Sequence, residues 1–204
     1  MNYEQIGEAL RIRRNQGYEK TALFSVLIPL IEINQIPHIL FEVRSFELES
    51  QPGEICFPGG KMEPGETPSE TALRETMEEL NLSSKQLKII GELPPLTTPF
   101  HLTIFPFVGV IQHTDFQEIN YSAEEVSSVF TVPLPALLQQ DPEEYKLEYD
   151  MRMDPQFPYH HIPNGDQYRW RQGMYRVIFY YHDQHVIWGL TAKMLKFFLE
   201  SIKQ

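Results

Sequence analysis

Along the chain the apolar residues change period several times, and each change marks an element. Ile6, Ala9, Leu10 and Arg13 follow helical spacing and predict a short leading helix. Residues 23–33 and 38–43 are β-rich runs joined by Asn34-Gln35-Ile36-Pro37, which reads as a hairpin turn. A shorter run, 54–57, stops abruptly at Pro58-Gly59-Gly60, and the pattern then becomes helical. Thr67 at N-cap, Pro68 at the first helical position and Glu70 at N3 form a capping-box signature. It opens a helix running to about Leu80, with Asn81 as its stop. Strands follow at 87–93, 104–112 and 126–132, and a short helix at 133–140. Further strands are predicted at 175–181 and 185–188, and a final helix at 190–202, where Leu190, Met194, Phe197, Phe198 and Ile202 keep helical spacing. Strands and helices interleave, but the hairpins exclude an all-parallel sheet. The expected class is α/β (α+β), with mixed sheets.

Composition adds bounds to that outline. A length of 204 residues suits one domain, and 42% hydrophobic with 22% charged residues is ordinary for a folded chain. No repeat or low-complexity linker divides the sequence, so residues 1–204 are expected to form a single unit. Lys and Arg number 17 against 28 Asp and Glu, a net charge of −11. That balance argues against a nucleic-acid partner, whose phosphates draw affinity from Lys and Arg. It leaves open a small phosphorylated substrate held through divalent cations. Cys56 is the one cysteine, so no intramolecular disulfide forms, and no stretch approaches the roughly 18 apolar residues of a membrane span. The expected compartment is the cytoplasm, with no membrane partner; oligomeric state is not legible. Residues 141–154 carry six acids against Lys146 and Arg152, and 141–171 reads as a solvated insertion.

The acids of the central helix do not scatter. At about 100° per residue, Glu75, Glu78 and Glu79 share one face, while Leu73, Met77 and Leu80 centre on the opposite one. Carboxylates at this spacing repel, each pair costing an exposed helix about 0.2–0.5 kcal/mol, which a solvated face tolerates. The preceding loop adds a second feature. Phe57-Pro58-Gly59-Gly60 brings a strand to a sharp turn, and its two glycines can take positive φ and leave backbone groups accessible to a ligand. Hard cations such as Mg²⁺ require oxygen ligands in octahedral array, which a glutamate triad beside a glycine carbonyl can supply. Such a site can clamp a pyrophosphate and lower the pKa of a bound water.

Gly60, five residues, Glu66, seven residues and Arg74-Glu75-Thr76-Met77-Glu78-Glu79-Leu80-Asn81-Leu82 together resemble the Nudix hydrolase signature, GX5EX7REUXEEXGU, over 23 residues. Thr76 stands where an aliphatic residue is usual and Asn81 where glycine is usual, yet every charged position is kept. Upstream, ILFEVRSFELESQPGEICFPGG from Ile39 to Gly60 resembles the coenzyme A pyrophosphatase pattern LLTXRSX3RX3GX3FPGG. Arg44-Ser45, Gly53 and Phe57 to Gly60 are in register; Glu49 replaces an arginine, and the opening is kept loosely. Segments 106–109, 129–134 and 187–192 are similar to the same branch, so the likeness spans roughly 23–195.

The resemblance implies a Nudix-like α/β/α sandwich with Mg²⁺ (or Mn²⁺) held by Glu75, Glu78, Glu79 and the Gly59 carbonyl. It implies hydrolysis of a pyrophosphate bridge in a coenzyme A-like molecule, giving 3′,5′-ADP and 4′-phosphopantetheine. Arg74 is expected to orient the site by pairing with Glu66 or Glu78. The base is Glu75, Glu78 or an acid of the Glu124-Glu125 pair, with Glu125 favoured as a supplementary metal or water contact. Arg44 is the candidate for the 3′-phosphate, with Arg169, Arg171 and Arg176 as a second cluster or an ordinary solvated hairpin. Gly60 and Lys61 adjoin the turn and can meet a phosphate, although Lys61 equally fits a surface lysine. The Glu49 departure leaves room for a nucleoside diphosphate sugar or a nucleoside triphosphate as substrate. A nucleotide-sensing domain without catalysis is a further alternative, disfavoured by the full triad. Cys56 is expected to be a packed thiol rather than a nucleophile, and His182 to His185 a hairpin turn.

Overall fold

The computed structural model describes residues 4–5, 21–99, 101–148, 152–170 and 173–203. The expected leading helix around Ile6 to Arg13 lies outside the described residues. β1 (Ala22–Ile33) and β2 (Ile36–Arg44) form an antiparallel hairpin. Asn34 and Gln35 both adopt left-handed φ, 52° and 64°, the conformation of a two-residue turn whose twist matches its strands. Ile36 and Pro37, expected in the turn, therefore already belong to β2.

β3 (Ile55–Cys56) pairs with β2, and β4 (Gly59–Lys61) pairs antiparallel with β1. The expected sharp Gly59-Gly60 turn is thus corrected. Only Gly59 takes positive φ, and the two glycines run as a short strand. α1 (Pro68–Glu79) follows, then β5 (Leu87–Glu92), β6 (Leu96–Thr98), β7 (Leu102–Ile111) and β8 (Val126–Pro133). β7 runs parallel to β1 and carries β5 and β6 on its other edge; β8 pairs with β2. These eight strands form one mixed sheet. α2 (Leu134–Gln139) leads to a second, antiparallel sheet of β9 (Glu143–Glu148), β10 (Met174–His182) and β11 (His185–Trp188), and α3 (Gly189–Ile202) ends the described fold. β9 corrects the reading of 141–154 as a purely solvated insertion: its charged residues are exposed but pair in register with β10. The expected 182–185 hairpin turn is present, with Asp183 left-handed.

The large sheet is buried on both faces, which explains its nearly unbroken apolar strands. Leu27, Ile31 and Leu40 face α1 and pack with Ala72, Leu80 and Phe107. Ile28, Ile39 and Phe41 face the other way and pack with Ile187, Leu195 and Phe198 of the second sheet and α3. The expected α/β/α sandwich follows from this alternation. Among the described residues, no helix is long and apolar enough to cross a membrane.

Both ends of α1 are fixed locally. Thr67 N–H donates to Glu70 Oε2 at 2.8 Å, and Glu70 N–H donates to Thr67 Oγ1 at 3.4 Å, closing the capping box. At the other end Asn81 is left-handed, φ 49°, and Leu82 N–H donates to the Met77 carbonyl at 3.0 Å, as in a Schellman cap. Thr76, the departure from an aliphatic residue, is fully buried, its hydroxyl donating to the Ala72 carbonyl at 2.7 Å. Loss of the N-cap is expected to be felt in the whole fold. Thr67→Ala should cost about 1 kcal/mol in urea unfolding, and Thr67→Ser much less.

Candidate active site

The buried stripe of α1 comprises Thr71, Ala72, Thr76 and Glu79, so the helix turns part of its acidic face into the protein. Burial does not follow the expected division into an acidic and an apolar face, since Glu79 of the first and Leu80 of the second are both buried. Leu73 and Met77 are only partly buried. Glu79 is 3% exposed, Glu75 half-buried, and Glu78 has 60% of its side chain exposed. All three lie toward the C-terminal end of α1, where the helix dipole disfavours negative charge and the last turn holds no basic residue.

β4 brings the glycines to this helix. Leu27 N–H donates to the Pro58 carbonyl and Met62 N–H to the Leu23 carbonyl, both at 2.9 Å, flanking Gly60 opposite Ser25. Antiparallel alternation then turns the N–H and C=O of Gly59 away from β1. The Gly59 N–H donates to Glu79 Oε2 at 2.8 Å. A side chain at Gly59 would collide with the Ser25 carbonyl and the Val26 backbone, and its φ of +150° disfavours any other residue. A Cβ on Gly60 would land on the Glu75 carboxylate. Gly60 thus makes room for an acid, while its backbone faces Ser25 in the ladder.

Arg74 ties the outer acids together. Its Nε lies 2.6 Å from Glu66 Oε1, its Nη2 2.9 Å from Glu75 Oε1, and its Nη1 3.1 Å from Glu78 Oε2. The orienting role expected for Arg74 has its geometry here, with Glu75 an added partner. Glu66 also accepts from the Thr71 hydroxyl and the Glu63 N–H, and these donors with Arg74 hold its carboxyl down at about 2.

The inner acids behave in the opposite sense. Burial, then the nearby charge of Glu42, pushes the Glu79 carboxyl up; burial also raises Glu75 against the opposing pull of Arg74. Glu125 is exposed on the loop before β8, but its charge reaches Glu42, Glu75 and Glu79. Two backbone bonds of 2.8 Å stitch that loop into place, Ser122 N–H to the Glu79 carbonyl and Ser45 N–H to the Glu125 carbonyl.

Glu42 is the residue that sequence reasoning missed. It leaves β2 on the face of Leu40, toward α1, and is 1% exposed. Burial raises its carboxyl, although the Cys56 thiol donates to Oε1 at 3.1 Å. The signal was present in the sequence: an acid inside Ile39-Leu40-Phe41-Glu42-Val43, at the place where the quoted upstream pattern has threonine. Cys56 is accordingly no nucleophile, since burial and Glu42 push its thiol up.

Arg44 is half-buried beside this cluster, with its Nε buried and without a hydrogen-bond partner. Lys61 is exposed. Of the second arginine cluster, Arg176 is engaged by Glu144 at 3.0 Å, Arg169 is exposed, and Arg171 lies outside the described residues. An open groove of about 590 Å³, lined by Pro68, Ser69, Leu93, Pro94 and Phe105, lies at the opposite end of α1 from the carboxylates.

The donor set suits a hard divalent cation: oxygen ligands only, too acidic and too buried to be comfortable alone. Among the described residues the acids do not stand in a finished coordination shell, since Arg74 holds Glu75 and Glu78 and the Gly59 N–H holds Glu79. Holding a cation would therefore require these acids to exchange their present partners.

The NUDIX domain family profile matches residues 25–153. The chain is 33% identical over 188 residues to Nudix hydrolase 3 of Caenorhabditis elegans, covering 87% of this chain and 72% of that one. It is 32% identical over 185 residues to a mitochondrial coenzyme A diphosphatase of Homo sapiens, covering 90% and 70%. It is 40% identical over 116 residues to a peroxisomal coenzyme A diphosphatase of Mus musculus, covering 56% and 48%.

Two outcomes follow from this geometry. Gly60→Ala, by displacing the Glu75 carboxylate, is expected to weaken Mn²⁺ binding about 10- to 100-fold in a calorimetric titration while far-ultraviolet circular dichroism stays unchanged. The second concerns pH. Glu42 and Glu79 have folded-state values raised above the ordinary 4.5, so the stability tied to their protonated forms is lost as pH rises through those values. In chelator, the melting temperature should fall from about pH 4.5 through about 7, the raised value of Glu42, to about 9, that of Glu79, and Glu79→Gln should flatten the slope.

Proposed function

The chain belongs to the Nudix hydrolases, and from that premise we propose that it cleaves the pyrophosphate bridge of coenzyme A or its acyl derivatives with the aid of Mg²⁺ or Mn²⁺. The observation that carries this reading is the grouping of Glu79, held by the Gly59 N–H, with Glu75 against Gly60 and the charge of Glu125 acting on both, while Arg74 braces the outer acids. Glu75, Glu78, Glu79 and the Gly59 carbonyl would hold the cation. When bound, the cation neutralises charge on the bridge oxygens and makes water a stronger acid.

The chain's own residues supply the rest. Arg74 keeps Glu75 and Glu78 within reach of one another despite their repulsion. Water adds to one phosphorus, the bond from that phosphorus to the bridging oxygen breaks, and the water's proton passes to a carboxylate at the rim. Glu125, exposed and with its charge acting on Glu75 and Glu79, is proposed to take it, with Glu75 or Glu78 as the alternatives. The products from coenzyme A are 3′,5′-ADP and 4′-phosphopantetheine. Arg44 is proposed to meet the 3′-phosphate through the part of its half-buried side chain that is not enclosed.

Substrate identity is supported by the upstream pattern through Arg44-Ser45, Gly53 and Phe57 to Gly60, and by the two relatives named as coenzyme A diphosphatases. Glu49 favours a second reading, in which another nucleoside diphosphate derivative takes the site, because a negative charge replaces the arginine of that pattern. The cytoplasm is our placement on composition; the relatives' names place those proteins in mitochondria and peroxisomes.

A panel of coenzyme A, ADP-ribose, diadenosine compounds and nucleoside triphosphates, assayed with Mg²⁺, separates the readings. Release of 3′,5′-ADP from coenzyme A is expected, and cleavage of only another compound would move the chain to the second reading. Glu79→Gln should lower turnover about a hundredfold or more with the fold retained.

A further inference from the structure

Glu42, like Glu125, joins the cluster from outside the signature helix, but it does so from the core of β2. Its Oε1 accepts the Cys56 thiol, and Cys56 stands directly opposite in the β2–β3 pair, so that oxygen is committed. Its Oε2 is buried and has no hydrogen-bond partner. A buried acceptor left without a donor is rare and costly, and here the acceptor belongs to a carboxyl group that is 1% exposed. Glu79 does not close on it: its own Oε2 accepts the Gly59 N–H at 2.8 Å, and no hydrogen bond joins the two acids among the described residues. Arg44, two residues along β2, does not close on it either: the register shifts between Val43 and Arg44, and the Arg44 Nε is itself unpartnered. What remains on this face is a set of acids, Glu79, Glu75 and Glu125, whose charges act on one another.

We infer that Glu42 is an additional cation ligand, holding a divalent metal through Oε2 together with Glu79. The inference rests on the reading of the α1 carboxylates as a cation site and adds to it a ligand from β2. A threonine at this place, as in the upstream pattern, is neutral and offers only a hydroxyl. Glutamate adds a full negative charge behind Glu79 and a second oxygen that needs a positive partner. A small dense cation fits, since among the described residues neither acid makes an ion pair and Arg44 acts on Glu42 only through its charge at a distance.

The test uses the whole chain without substrate, titrated with Mn²⁺ and followed by electron paramagnetic resonance of the free ion and by calorimetry. Glu42→Gln and Glu42→Thr should each weaken Mn²⁺ binding about tenfold or more, or remove one equivalent. Both should also shrink the Mn²⁺-induced rise in melting temperature, while raising the melting temperature in chelator because a buried repulsion with Glu79 is gone. Cys56→Ala, which frees Oε1 but keeps the carboxylate, should bind Mn²⁺ as the unaltered chain does. Unchanged affinity and stoichiometry in a folded Glu42 variant, with Glu79→Gln impaired, would overturn the role of Glu42 and leave the α1 site standing. Unchanged binding in Glu79→Gln as well would overturn both. A loss in Cys56→Ala equal to that in Glu42→Gln would assign the effect to packing and overturn ligation.

Discussion

Repulsion between carboxylates buried at the C-terminal end of α1 is the constraint to which the rest of this structure answers. Glu79 is almost fully enclosed, Glu42 lies against the same face, and the helix end adds the negative pole of its dipole. Burial of one unpaired carboxylate is already costly, and two in mutual range compound the cost. Neighbouring choices can be read as responses to this. Gly60 has no side chain because the Glu75 carboxylate occupies that space, and Gly59 directs its N–H at Glu79 because β4 leaves that group unused by the ladder. The chain thus holds together a group of charges that it does not itself neutralise.

Packing on the far side of the sheet fixes where those charges sit. Phe41 stacks on Phe57 at 5.0 Å and on Phe130 at 5.4 Å, and Phe130 stacks on His185 at 3.7 Å. The Thr191 hydroxyl, in the first turn of α3, donates to the Ile55 carbonyl at 3.1 Å. These contacts hold β2 and β3 from behind. Because side chains alternate along a strand, anchoring Phe41 toward α3 anchors Glu42 toward α1. Phe57 likewise fixes the approach to Pro58 and Gly59. The second sheet and the last helix therefore contribute to the site without touching it, which gives a physical reason for the sequence likeness to extend beyond the signature helix.

The features legible in the sequence were the local ones. The capping box, the left-handed stop at Asn81 and the spacing of Glu75, Glu78 and Glu79 each depend on residues within one or two helical turns, so the pattern alone specified them. Strands long enough to show their period were also legible. β4 and β6 were too short to announce themselves, and β9 is exposed and charged throughout, so its pairing is decided by β10. The burial of Glu79 was not legible, because amphipathicity assigns the apolar side of a helix to the core, whereas here the sheet receives an acidic side. Glu42 escaped notice because its meaning is tertiary. Only the β2–β3 pairing and the approach of α1 give it neighbours.

Arg74 divides the acids into two populations. Its nitrogens are committed to Glu66, Glu75 and Glu78, and with other donors they hold Glu66 in its charged form far below its ordinary value. Beyond its reach, Glu79 and Glu42 shift the other way. One guanidinium therefore sets a boundary: outside it negative charge is already matched, and inside it negative charge still requires a partner. Glu75 straddles the boundary, touching Arg74 through Oε1 while burial raises its proton affinity. A group so placed can exchange one positive partner for another at little cost, because Arg74 keeps Glu66 and Glu78 when Glu75 turns away. The net charge of −11 gains a location from this division. Six glutamates against Lys61 and Arg74 lie between Gly60 and Leu82, and the inner members, Glu79 with Glu42 behind it, are the part of that charge the guanidinium leaves unmatched.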